Sequence, residues 1–227
     1  MFSKIVVSAL IAGFGAGLFA ALLQFVFVQP ILLHAELFET GALTHFGAAP
    51  SAAQVTIAGG IDFMRDGLSV MFSSLIYVGY ALMLLAAMVV AEERGQEITP
   101  RTGIIWGIAG FITVQMAPAF GLPPELPGMN AADVEVRQIW WFATVAATGV
   151  ALWLIAFGRN WAIWGAAIIL IAAPHIIGAP MPDTLTGPAP PELGAEFAAR
   201  AIGVGLAVWT TLGLLLGAAW SRKIGET

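Results

Sequence analysis

Six stretches of this chain run for bilayer-spanning length without a single Asp, Glu, Lys or Arg: 5–28, 67–91, 102–120, 139–157, 161–179 and 201–220. A membrane helix needs about 20 mostly apolar residues, because each residue adds about 1.5 Å and lipid offers no partner to an unpaired backbone group. The pattern predicts an all-α integral membrane protein, a six-helix transmembrane bundle forming one membrane domain over 1–227. Charged residues make up 10% of the chain, against about 25% in soluble domains. Lys4 followed by an apolar run resembles the start of a secretory signal, but the run exceeds the roughly 7 to 15 residues of a signal core and is expected to stay as the first span.

Orientation follows from the basic residues. Lys4, Arg94, Arg101, Arg159, Arg222 and Lys223 fall on one side of the predicted spans, and Arg65, Arg137 and Arg200 on the other. The positive-inside rule then predicts both termini in the cytoplasm. Acids divide the opposite way, with Glu92, Glu93, Glu97 and Glu226 inside and the other ten outside. Tryptophans support the boundaries, since every one except Trp209 lies near a predicted interface. Gly158, Arg159 and Asn160 leave room only for a tight turn, so the spans on either side are expected to be antiparallel neighbours.

Each odd span ends near a proline (Pro30, Pro118, Pro174) and each even span begins near an arginine (Arg65, Arg137, Arg200). Trp106-Gly107 matches Trp164-Gly165, and Pro123-Pro124-Glu125-Leu126 matches Pro190-Pro191-Glu192-Leu193. The repetition predicts three helical hairpins in one orientation, an arrangement common in transporters. GxxxG pairs at Gly13/Gly17, Gly103/Gly107 and Gly213/Gly217 suit close helix contacts, either inside the chain or between copies in a homo-oligomer.

The composition excludes several classes. Nine Lys and Arg against 14 acids, a net charge of −5, leave no basic surface for nucleic acid. Without cysteine there are no disulfides, thiolate sites or Fe–S ligands. No GxxxxGK[ST] loop, HExxH or GxSxG occurs, so no enzyme activity and no permanently bound cofactor are expected. No carboxylate lies mid-span, which leaves any transport to a substrate gradient, the membrane potential or a partner.

Candidate ligands gather on the predicted outer side. His175 follows Pro174, where a broken last turn would free backbone carbonyls beside an imidazole able to hold Co, Ni, Zn or Cu. A histidine bonded to a nearby carbonyl at the interface is the competing reading. His34 and Glu36 lie on a helical extension past Pro30 that Gly41 would cap, with His34 and Phe38 on one face. There a first metal contact competes with a solvated amphipathic end. Glu125, Asp133 and Glu192 are outer acids, and the last two fit the first turn of a helix. Met64, Met116, Met129 and Met181 could assist a soft cation or simply pack, and Gln24 and Gln115 could bond across helices.

Three segments carry a family resemblance: Ala117-Pro118-Ala119-Phe120-Gly121-Leu122-Pro123-Pro124-Glu125-Leu126-Pro127-Gly128, then Arg137-Gln138-Ile139-Trp140-Trp141, then Pro174-His175-Ile176-Ile177-Gly178-Ala179-Pro180. Together with the spans they resemble the probable cobalt transporter subunit family CbtA over nearly the whole chain. The resemblance implies a multi-pass protein of the bacterial inner membrane that takes up cobalt (Co2+) with a small single-span, His-containing partner, CbtB. With the outer-side candidates His175, His34, Glu36, Glu125 and Met116 as hypothetical metal contacts, the resemblance supplies cobalt as the cargo. The family's His- and acid-rich first outer loop is replaced here by 40–60, with His45 alone, which weakens metal capture by that loop. A membrane scaffold that binds another subunit through the same loops is the alternative.

Overall fold

A computed structural model describes residues 2–45 and 63–222 of the chain. The expectations for loop residues 46–60 and for Lys223 and Glu226 lie outside the described residues. Among those described there is no strand, and the helices are α1 (Phe2–Glu39), α2 (Phe63–Glu92), α3 (Pro100–Ala119), α4 (Val134–Phe157), α5 (Trp161–Ile177) and α6 (Pro191–Ser221). All except α5 are long and apolar enough to cross a membrane, so the chain is a multi-pass membrane protein. The fifth predicted span is shorter than expected. Gly178, at φ 90°, ends α5 by donating its N–H to the Pro174 carbonyl at 3.0 Å, and 17 residues reach only about 25 Å.

Two helices contain a single wide turn, Gln24–Val28 in α1 and Ile112–Met116 in α3. Pro30 and Pro118 each follow by two residues. Proline has no N–H for the carbonyl four residues back, and an i→i+5 turn lets the chain satisfy its carbonyls in a shifted register. Pro174 has no such turn before it, and α5 continues through it. The break expected at Pro174 is therefore absent, while the other two proline-ended helices carry the distortion.

The chain divides into two compact units. Unit 1 comprises the described residues of Met1–Val26, Gly60–Phe111 and Gly203–Thr227. Within it, α1 turns a face of small residues (Ala9, Ala12, Gly13, Ala16, Gly17, Ala20) onto α2. A Cβ on Gly13 or Gly17 would strike the backbone of Val78 or Ser74. Gly103 and Gly107 of α3 meet Gly213 and Trp209 of α6 in the same way, and Gly217 lies against Thr99. All three GxxxG pairs are thus spent on contacts inside the chain, where close packing supplies the attraction that hydrophobic burial cannot supply in lipid. At one end of the unit the Trp220 indole N–H donates to both Glu92 oxygens at 3.1 Å, and Lys4 Nζ lies 4.5 Å over the Trp220 ring.

Unit 2 comprises the described residues of Phe27–Gly59 and Ile112–Ile202. It has its own apolar centre, made by Ile31 and Ala35 of α1, Leu126 and Ala189 of the two proline-rich loops, and Phe197 of α6. Asn130 fastens one loop to the other: its side-chain amide donates to Thr184 Oγ1 at 3.0 Å and Thr186 Oγ1 at 2.7 Å, and its backbone N–H to the Thr186 carbonyl at 3.0 Å. Helices α4 and α5 pack together across the expected tight turn, with Asn160 Oδ1 accepting from the Ile163 N–H at 2.9 Å as the α5 cap.

Candidate functional site

A cleft of about 730 Å3 opens in unit 2. Its walls come from the wide turn of α3 (Val114, Gln115), the proline-rich loop that follows, and the first two turns of α4 (Val134, Arg137, Gln138, Trp141). Local chemistry aims each group. Asp133 caps α4 by accepting the Glu135 N–H on Oδ1 at 2.8 Å, which sets the helix start and places Arg137 and Trp141 one turn apart on one face. Pro123, Pro124 and Pro127 restrict the loop, Leu126 is buried beneath it, and Gly128 turns the chain at φ 76°. A side chain at Gly128 would be strained and would also crowd Glu39 and Pro188. With the loop held, Glu125 Oε2 accepts from Arg137 Nη2 at 2.8 Å, their side chains 32% and 27% exposed. Asp133→Ala is expected to cost about 1 kcal/mol by removing the cap, read as a lower thermal midpoint of the detergent-solubilised chain.

The two wide turns meet helix α6 at consecutive residues. Gln115 Nε2 donates to the Ala201 carbonyl at 3.0 Å, which realises the cross-helix bond expected of it. Arg200 Nη1 donates to the Phe27 carbonyl at 3.1 Å and also pairs with Glu196 one turn earlier.

Each expected site residue has a definite place. Glu125 lines the cleft, with Met129 among its apolar neighbours. Met116 is 43% exposed on the wide turn and is not among the lining residues. His34 is half-buried on the expected helical face, its ring 5.5 Å from that of Phe38. The carbonyl of Glu36 accepts the Thr40 N–H at 2.9 Å as α1 ends, and Gly41 follows at φ 76°. His175 lies edge-on to Phe120 and Trp140, at 5.1 and 6.0 Å between ring centroids. Its Nδ1 is buried with no hydrogen-bond partner. The Pro174 carbonyl beside it is occupied by the Gly178 N–H and by the Trp140 indole N–H at 3.1 Å. Among the described residues no three of His, Cys, Asp or Glu come together as a metal centre.

Sequence reasoning did not name Arg137 and Gln138 as site residues, although Arg137 marked a repeat and an outer charge and both stand in a segment that carries the family resemblance. The signal was present: Glu125 and Arg137 flank a proline- and glycine-rich turn of the kind that returns a chain on itself. Trp140 was read as an interface anchor, yet it is buried at 8% exposure.

With this geometry in place, comparison with known proteins gives one result. The family model described as "Probable cobalt transporter subunit (CbtA)" matches residues 2–221. No curated protein and no solved structure matches the chain.

Proposed function

The chain belongs to the CbtA family of probable cobalt transporter subunits, and from that premise we propose that it is a permease subunit for cobalt uptake in the bacterial inner membrane. The single observation that carries this reading is the family match, which covers all six helices and both proline-rich loops. We place both termini in the cytoplasm, so that the cleft, at the start of α4, opens on the outer side. The outer acids raise the local concentration of cations there. The cleft then engages the cargo, with His175, His34, Glu36, Glu125 and Met116 as the candidate contacts along the way. A small single-span, His-containing subunit of the CbtB kind completes the permease. The apolar, largely exposed surface of α5, including Ile168, Ile169, Ile176 and Ile177, suits such a helix.

A second reading, a scaffold that transports nothing, is favoured by the absence of a three-ligand cluster among the described residues. Metal accumulation separates the two. Cells carrying the chain with its partner subunit are expected to accumulate more cobalt than cells without it, in preference to Ni, Zn and Mg. No gain for any metal would hand the case to the scaffold. His175→Ala is expected to lower cobalt accumulation at equal membrane abundance, and wild-type accumulation would remove His175 from the path.

A further inference from the structure

The cleft is poorly made for a bare dication. Its lining carries one carboxylate, Glu125, and that group is already paired with Arg137, so the two charges of the lining cancel. A doubly charged ion stripped of water there would meet a near-neutral wall, and desolvating an unpaired charge is costly.

The same features suit an organic anion. Arg137 gives one nitrogen, Nη2, to one Glu125 oxygen, and among the described residues no other side chain or carbonyl holds the rest of its fork. A guanidinium with free N–H groups beside a pocket binds a carboxylate with defined geometry. Gln138 stands next to it, and Trp141, Met129 and the loop prolines supply the apolar wall typical of small-molecule sites.

We infer that the cleft takes its metal as an anionic complex with a small organic polycarboxylate, one carboxylate of which pairs with Arg137 while the body of the ligand lies against Trp141 and the prolines. This rests on the cobalt-transport reading, specifies the form in which the cleft holds the cargo, and sets aside the cation-concentrating role of the outer acids, which would repel an anionic complex.

Charge substitutions test it by sign. A complex-binding cleft needs Arg137 and competes with Glu125, whereas a bare-ion cleft needs Glu125 and is opposed by Arg137. The full chain in phosphatidylcholine nanodiscs, free of anionic lipid, would be titrated with Co(II)–citrate in citrate excess, with cobalt chloride and with sodium citrate. Wild-type protein is expected to bind Co(II)–citrate at least about tenfold more tightly than cobalt chloride. R137Q is expected to weaken binding of the complex about tenfold, the loss of one charge-assisted pair. E125Q is expected to tighten it. Tighter binding of cobalt chloride than of the complex, or the reversed pair of signs, would overturn the inference while leaving cobalt transport standing. Citrate bound equally with or without cobalt would keep the anion site and overturn the cobalt cargo on which the inference rests. If R137Q fails to fold, the sign of the E125Q change decides alone, because that substitution removes a charge without changing volume.

Discussion

Gly213→Leu is expected to prevent the chain from folding into a monodisperse membrane protein, because of the glycines in unit 1 this one would bring a Cβ nearest to a backbone atom of another helix. A Cβ at this position would overlap the Gly103 carbonyl oxygen and approach the Gly107 N and Cα to 2.7 and 2.8 Å. These are backbone atoms, which cannot rotate aside, so α3 and α6 would have to separate. Separation would also open the contacts of Gly107 with Trp209 and of Gly217 with Thr99. Overpacking a core commonly costs about 1 to 3 kcal/mol; here even Gly213→Ala should reach the upper end, because several close contacts are lost together. Gly203→Ala is the control, since a Cβ there meets nothing within 4 Å on the same helix. It should be neutral or slightly stabilising. Size-exclusion profiles and thermal midpoints in mild detergent give the comparison, and equal behaviour of Gly203→Ala and Gly213→Ala would remove the close-approach account.

In unit 2 the largest expected effect is at Trp140. Its ring fills the space beside Gly121, where an added Cβ would come within 2.7 Å of the indole, and faces the His175 imidazole. Its N–H holds the Pro174 carbonyl, and its own carbonyl accepts from Thr144 Oγ1 at 2.8 Å. Trp140→Ala is expected to cost about 3 to 5 kcal/mol, the usual range for a buried tryptophan. Trp140→Phe keeps most of the ring and loses the hydrogen bond, so about 1 to 2 kcal/mol is expected. Thermal midpoints of the two variants, with near-ultraviolet dichroism as a report on aromatic packing, check the ranking. An alanine variant as stable as wild type would show that α4 and α5 do not depend on this contact.

Both residues show how far a linear reading reaches. The GxxxG pairs were visible as spacing, and their use between helices of one chain emerged only when Gly103 was found opposite Gly213. Trp140 stood in a recognisable motif at a predicted interface, where tryptophans commonly lie; its burial depends on α5, which the motif does not include. Glu125 was identified as an outer acid. Its partner lies twelve residues away, across a loop whose path is set by Leu126 in the unit 2 core and by Asn130 clasping Thr184 and Thr186. The proline positions were legible too, but the expected break was assigned to Pro174, whereas the wide turns precede Pro30 and Pro118.

The sequence by itself determined the class of protein, the six helices and, through its motifs, the family. The bilayer imposes length and apolarity on every span separately, so each helix is specified by its own residues. The proline-rich loops and the tight turn at Gly158 are equally local and were read for the same reason, while Asp133, expected in the first turn of α4, stands just before it as the cap, and the Asn160 cap was not anticipated. Only the tertiary structure decided which side chains meet. One extra residue in a wide turn rotates everything beyond it by about 100°, so helical faces counted through Gln24–Val28 or Ile112–Met116 fall out of register. That rotation, together with contacts between residues far apart in sequence such as Phe27 and Arg200, placed an Arg137–Glu125 cleft where composition suggested a row of acids.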